Sequence, residues 1–150
     1  MATVALIGVP GSGKSAVGAA LADLLGAEFL DVAEQLGGEN AVVQLGMAEA
    51  TRRALDLATA QQDAVIAMPS WATRGPDESR VVYLLSTAGE SFARSGMNRA
   101  GPVGLINPRS LWAQMLRERD PEYRAGAELV VEVAGKTVAD IAAEIDTLLG

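Results

Sequence analysis

Apolar positions along the chain follow two rhythms. Thr3 to Val9 is a continuous apolar run that ends in glycine and proline, the pattern of a strand buried on both faces, as in a parallel sheet. Ala64 to Met68, Arg80 to Leu85 and Glu128 to Val133 are similar short runs rich in Val, Ile and Leu, and Ala27 to Asp31 is a shorter and weaker strand candidate. Helical spacing appears between them. Val17, Leu21, Leu24 and Leu25 share one helix face before Gly26 supplies a stop, and Val138, Ile141, Ile145 and Leu148 repeat that spacing near the C-terminus. Alternating strands and helices predict an α/β domain with a doubly wound, five-stranded parallel sheet flanked by helices. Pro69 to Glu78 and Met97 to Pro108 carry Gly, Pro, Ser or Asn where a strand or helix would not want them, so both are expected to be loops. In such a sheet ligands sit beyond the carboxyl ends of the strands, which makes both loops candidates to border a site.

Composition narrows the chemistry. With 150 residues, 49% of them hydrophobic, the chain suits one domain around one core, and no second domain is expected. No apolar run approaches the roughly 20 residues needed to span a bilayer, and no secretion-type leader is visible, so a cytoplasmic location is expected, without membrane partners. There are no cysteines and no histidines, which excludes disulfides, thiol nucleophiles and imidazole bases. Chemistry must run on Asp, Glu, Lys, Arg, Ser and bound metal. The net charge of −7 argues against nucleic acid as a partner and makes local arginine clusters candidate sites for small anions.

Gly8-Val9-Pro10-Gly11-Ser12-Gly13-Lys14-Ser15 satisfies G-x-x-x-x-G-K-[ST] in full, between a predicted strand and an amphipathic helix. In this phosphate loop, or P-loop, glycines let successive backbone N–H groups turn inward around an anion, and the following helix adds its partial positive N-terminus. Gly8, Gly11, Ser12, Gly13, Lys14, Ser15 and Ala16 are therefore expected to hold the phosphates of ATP or another nucleoside triphosphate. Lys14 would reach the β- and γ-phosphates, and Ser15 would offer its hydroxyl to Mg²⁺.

From this loop onward the chain resembles the shikimate kinases, small P-loop enzymes that transfer the γ-phosphate of ATP to the 3-hydroxyl of shikimate. The likeness runs nearly end to end. It rests on the P-loop, Phe29-Leu30-Asp31, Glu49 to Asp56, Arg94-Ser95-Gly96 ahead of a lid, and Arg119-Asp120-Pro121-Glu122-Tyr123. The resemblance implies a P-loop NTPase fold with a short lid. It also implies that Asp31 holds a water of the Mg²⁺ shell, that Arg94 stacks on adenine, that Arg53 meets an acceptor carboxylate, and that Arg119, with Lys14 a catalytic residue, does so as well. Arg52 shares a helix face with Leu45, Ala48 and Leu55, so either Arg52 or Arg53 is a candidate to face the cleft.

The chain departs from the family at three acceptor positions. The second aspartate of the family's D-x-D pair falls on Ala33, the glycine triplet after the third strand on Pro69-Ser70-Trp71, and the lid arginine on Gly101 beside Asn98 and Pro102. A methyl group neither grips a hydroxyl nor accepts its proton, and proline removes an N–H where backbone would approach substrate. Trp71 would fill the acceptor pocket, form one face of a different pocket, or pack on a neighbouring helix. The lost arginine leaves Arg99 or Arg109 to reach the phosphates. Three readings stay open: a kinase for a different small carboxylate or phosphate-bearing metabolite, a nucleotide-holding protein that acts through a protein partner, and a slow shikimate kinase.

Overall fold

A computed structural model describes residues 2–38, 41–95 and 108–150, and the side chains of 94, 95, 108 and 109 fall outside that description. The five strands are β1 (Val4–Ile7), β2 (Glu28–Asp31), β3 (Ala64–Ala67), β4 (Arg80–Leu85) and β5 (Leu129–Glu132). They form the one parallel sheet that the apolar runs predict, and its strand order is β2-β3-β1-β4-β5. Seven helices are described: α1 (Lys14–Leu25), α2 (Val32–Gln35), α3 (Ala41–Leu45), α4 (Met47–Thr59), α5 (Ala88–Ser95), α6 (Pro108–Gly126) and α7 (Val138–Leu149). The expected lid, with Asn98, Arg99, Gly101 and Pro102, lies outside the described residues.

Alternation along β1 divides the core between the two faces of the sheet. Val4 and Leu6 pack with Val17 and Leu21 of α1 and Ile141 and Ile145 of α7, whereas Ala5 and Ile7 pack with Ala54 and Ala58 of α4 and Tyr123 of α6. β1 and β3 are buried at every residue, while edge strand β2 is not. The buried face of α1 differs from the expected one. It carries Val17, Gly18, Leu21 and Ala22, and Leu24 is 55% exposed because its angular position lies at the margin of that stripe. Val138 and Leu148, near the two ends of α7, are also exposed.

α6 runs for 19 residues through Pro121 and joins sheet to turn. Its Tyr123 ring stacks on Tyr83 of β4 at 5.0 Å, and Tyr83 donates its hydroxyl to Asp120 at 2.7 Å. Burial and the Asp120 carboxylate both disfavour the Tyr83 phenolate and push its pKa up. The folded state thus favours neutral Tyr83, a contribution complete below the ordinary tyrosine pKa of about 10 and lost as pH rises above it. Tyr83→Phe is expected to lower stability at neutral pH by about 1 kcal/mol, or roughly 2–4 °C in Tm, and to flatten the decline above pH 10, as pH-dependent melting will test.

Candidate nucleotide and acceptor site

The P-loop leaves the carboxyl end of central strand β1 and runs into α1. Gly11 has φ 81° and Gly13, the N-cap of α1, has φ 95°, a left-handed conformation that favours glycine. Gly8 is needed for close approach. A Cβ there would lie 2.8 Å from Ser12 Oγ and 3.0 Å from the Leu84 carbonyl oxygen. Ser12 is fully buried, and its Oγ has no hydrogen-bond partner among the described residues. Lys14 opens α1 with 8% exposure and folds its Nζ back to donate to the carbonyls of Gly8 at 2.7 Å and Val9 at 3.2 Å.

Ser15, one residue further, presents its hydroxyl outward and donates to Asp31 Oδ2 at 2.5 Å. The other Asp31 oxygen accepts the Glu34 backbone N–H at 3.1 Å and caps α2. This places a hydroxyl and a carboxylate side by side at the end of β2, both oxygen donors of the kind Mg²⁺ accepts. Behind them opens a cleft of about 810 Å³. Pro10, Gly11, Gly13, Lys14, Ser15 and Ala16 line it from the P-loop, Asp31, Ala33, Glu34, Gly37 and Gly38 from β2 and the segment after it, and Ala67 and Met68 from β3. Gly11, Gly13, Lys14, Ser15, Ala16 and Asp31, predicted from separate motifs, therefore meet in one cavity, whereas Gly8 and Ser12 lie outside its lining.

Glu34, Gly37, Gly38 and Met68 were not expected in this lining. A signal for Glu34 existed in its spacing from Asp31, since an Asp followed three residues later by Glu marks a helix start and brings two carboxylates into one turn. Ala33 lines the cleft where the family pattern places a carboxylate, and Glu34 is the next acidic side chain along the chain.

The candidate acceptor arginines are distributed differently. Arg53 is half exposed and donates to Glu49 Oε1 at 2.9 Å, and Arg52 spans Glu49 and Asp56 at 2.6 and 3.0 Å. These two guanidiniums hold the Glu49 carboxyl down at about 2. Arg52 is 60% exposed and so does not turn inward as its wheel position suggested, because acidic partners three residues before and four after it hold its head along the helix surface. Arg119 is partly buried and directs Nη1 to the Ser70 carbonyl at 3.4 Å, and the Tyr123 hydroxyl donates to the same oxygen. Side chains one turn apart on α6 thus converge on Pro69-Ser70-Trp71. Arg94 belongs to α5, and its side chain lies outside the described residues. The turn after β5 is tied to α5 by Gly135, whose N–H donates to Glu90 at 3.3 Å.

No family model matches the chain. Curated relatives do. The shikimate kinases of Salinispora tropica and Salinispora arenicola are 33% and 36% identical, each over 96% of this chain and 95% of the relative. Among solved structures, a shikimate kinase from Acinetobacter baumannii in complex with shikimate superposes with a TM-score of 0.82 at 26% identity, covering 99% of this chain and 93% of that one. A deoxyadenosine kinase from M. mycoides, at 15% identity and a TM-score of 0.65, shares the fold. With a third of its residues shared with these relatives over nearly its whole length, the chain belongs to the shikimate kinase family.

Proposed function

We propose that this protein binds ATP with Mg²⁺ at Gly8 to Ser15 and transfers the terminal phosphoryl group to a small anionic metabolite for which shikimate is a poor substitute. The makeup of the main cleft is what most supports this. Lys14, Ser15 and Asp31 line it with the donors a metal-bound triphosphate needs, while the acceptor wall offers Ala33 in place of a carboxylate.

On this reading Lys14 leaves the carbonyls of Gly8 and Val9 for the β- and γ-phosphate oxygens, and the backbone N–H groups from Gly11 to Ala16 surround the phosphates. Ser15 and Asp31 would hold Mg²⁺, which when bound would offset phosphate charge. Arg94, by the family resemblance, would stack on the base. The acceptor hydroxyl oxygen forms a bond to the γ-phosphorus as the bond from that phosphorus to ADP breaks, and the hydroxyl proton passes to a base. Ala33 cannot take it, and with Asp31 engaged at the metal the other carboxylate lining the cleft is Glu34. Arg119, with Arg53 if it exchanges Glu49 for a ligand, pairs with the acceptor's carboxylate or phosphate.

ADP release from MgATP, measured over a panel of small hydroxy acids and phosphorylated metabolites with shikimate included, tests the reading. At least one other acid is expected to be used better than shikimate. Nucleotide binding without ADP release on any member would favour a non-catalytic, nucleotide-holding protein instead.

A further inference from the structure

A second cavity, of about 360 Å³, lies between α4 and the turn that follows β3. Its volume is within the range of small-molecule sites. Met68 lines both this cavity and the P-loop cleft, so the two compartments share a wall.

The turn is held at several points. Ala72 donates its N–H to the Pro69 carbonyl at 3.0 Å, and Tyr123 and Arg119 hold the Ser70 carbonyl. A Cβ on Gly126 would overlap the Thr73 carbonyl oxygen, so the end of α6 lies directly against the turn. Gly75 is pressed on β1, where a Cβ would come within 2.7 Å of the Ala5 methyl. These contacts make the cavity a preformed feature.

Its lining is chemically one-sided. Ala54, Leu55, Met68 and Ala72 are apolar, Trp71 adds an aromatic residue, and the polar residues are Thr51, Thr73 and Arg74. No acidic side chain is among them. Trp71 contributes to the wall, while its Nε1 is buried away from the open space and has no hydrogen-bond partner among the described residues. Arg74 is exposed and has no ion pair among the described residues. Arg74 therefore favours an occupant with negative charge, and the apolar walls favour one with an apolar body.

We propose that the Trp71 cavity is a binding site for a small carboxylic acid with an apolar body, its carboxylate met by Arg74 and its body packed against Leu55, Met68 and the Trp71 ring. Occupancy needs no nucleotide and no turnover, so it stands or falls apart from the phosphotransfer reading.

The chain has two tryptophans, Trp71 and Trp112, and Trp112 is engaged with Ser91 and Phe92 between α5 and α6. Subtracting the emission of Trp71→Phe from that of the parent isolates the Trp71 signal. The full chain, free of nucleotide, is titrated with benzoate, cyclohexanecarboxylate and isovalerate, with benzylamine as a cation of similar shape, and Tm is followed in parallel. At least one acid is expected to change Trp71 emission saturably and raise Tm. Benzylamine should do neither, and Arg74→Gln, on an exposed side chain, should keep the parent's ligand-free Tm while raising Kd about tenfold. A flat response to all three acids at tens of millimolar, unchanged affinity in Arg74→Gln, or equal binding of benzylamine would overturn the proposal.

Discussion

Lys14→Ala is expected to abolish the rise in Tm that MgATP or MgADP gives the parent protein. Lys14 sits at the centre of the loop, 8% exposed, with its ammonium on two carbonyls that the same loop supplies. That arrangement stores a cation where phosphate oxygens would arrive. A ligand at a hundred times its Kd stabilises the folded form by about 2.7 kcal/mol. For a domain of this size that corresponds to roughly 5–10 °C. Alanine removes the charge and its two hydrogen bonds to the Gly8 and Val9 carbonyls, so the ligand-free Tm is expected to fall by a few degrees, and the nucleotide-dependent rise, measured from that lower baseline, should disappear. Thermal melting with and without nucleotide checks both halves. A retained rise in the variant would mean that the backbone alone holds the phosphates.

The second large effect is a gain. Ala33→Asp is expected to raise shikimate-dependent ADP release by about a hundredfold, the lower end of what a positioned base contributes. Ala33, 9% exposed, lines the cleft and is the second residue of α2, where a carboxylate near a helix start is favoured. The gain should stop short of ordinary kinase rates, because Pro69-Ser70-Trp71 and Gly101 remain. Adding Gly101→Arg should give more than the product of the single effects, since groups acting on one transition state are seldom independent. If Ala33→Asp binds MgATP as the parent does and shows no gain, the acceptor defect lies elsewhere, with the turn after β3 the first suspect.

How far the sequence discloses all this depends on how local each feature is. β1 and β3 were legible because a strand buried on both faces is a plain apolar run, and β2 was fainter because its edge position leaves its residues partly solvated. The P-loop was legible because its chemistry is contained in eight consecutive residues. α6 was not. Trp112, Met115, Leu116 and Tyr123 are spaced among arginines and acids, and Pro121 reads as a breaker although the helix runs through it. The direction of Arg52 was equally hidden, because a helical wheel shows neighbours but does not weigh Glu49 and Asp56 against the cleft. The Trp71 cavity joins α4 to a turn some twenty residues later and so has no local signature.

The central claim is that nucleotide binding and shikimate phosphorylation have separated in this chain. The most direct measurement is the rate of shikimate-dependent ADP release by the unmutated protein, on a sample whose MgATP binding has been established by calorimetry. The account predicts binding together with turnover at least a hundredfold below the ordinary kinase range of roughly 1–100 per second. Turnover within that range, with ADP formed one for one with phosphorylated shikimate, would contradict it.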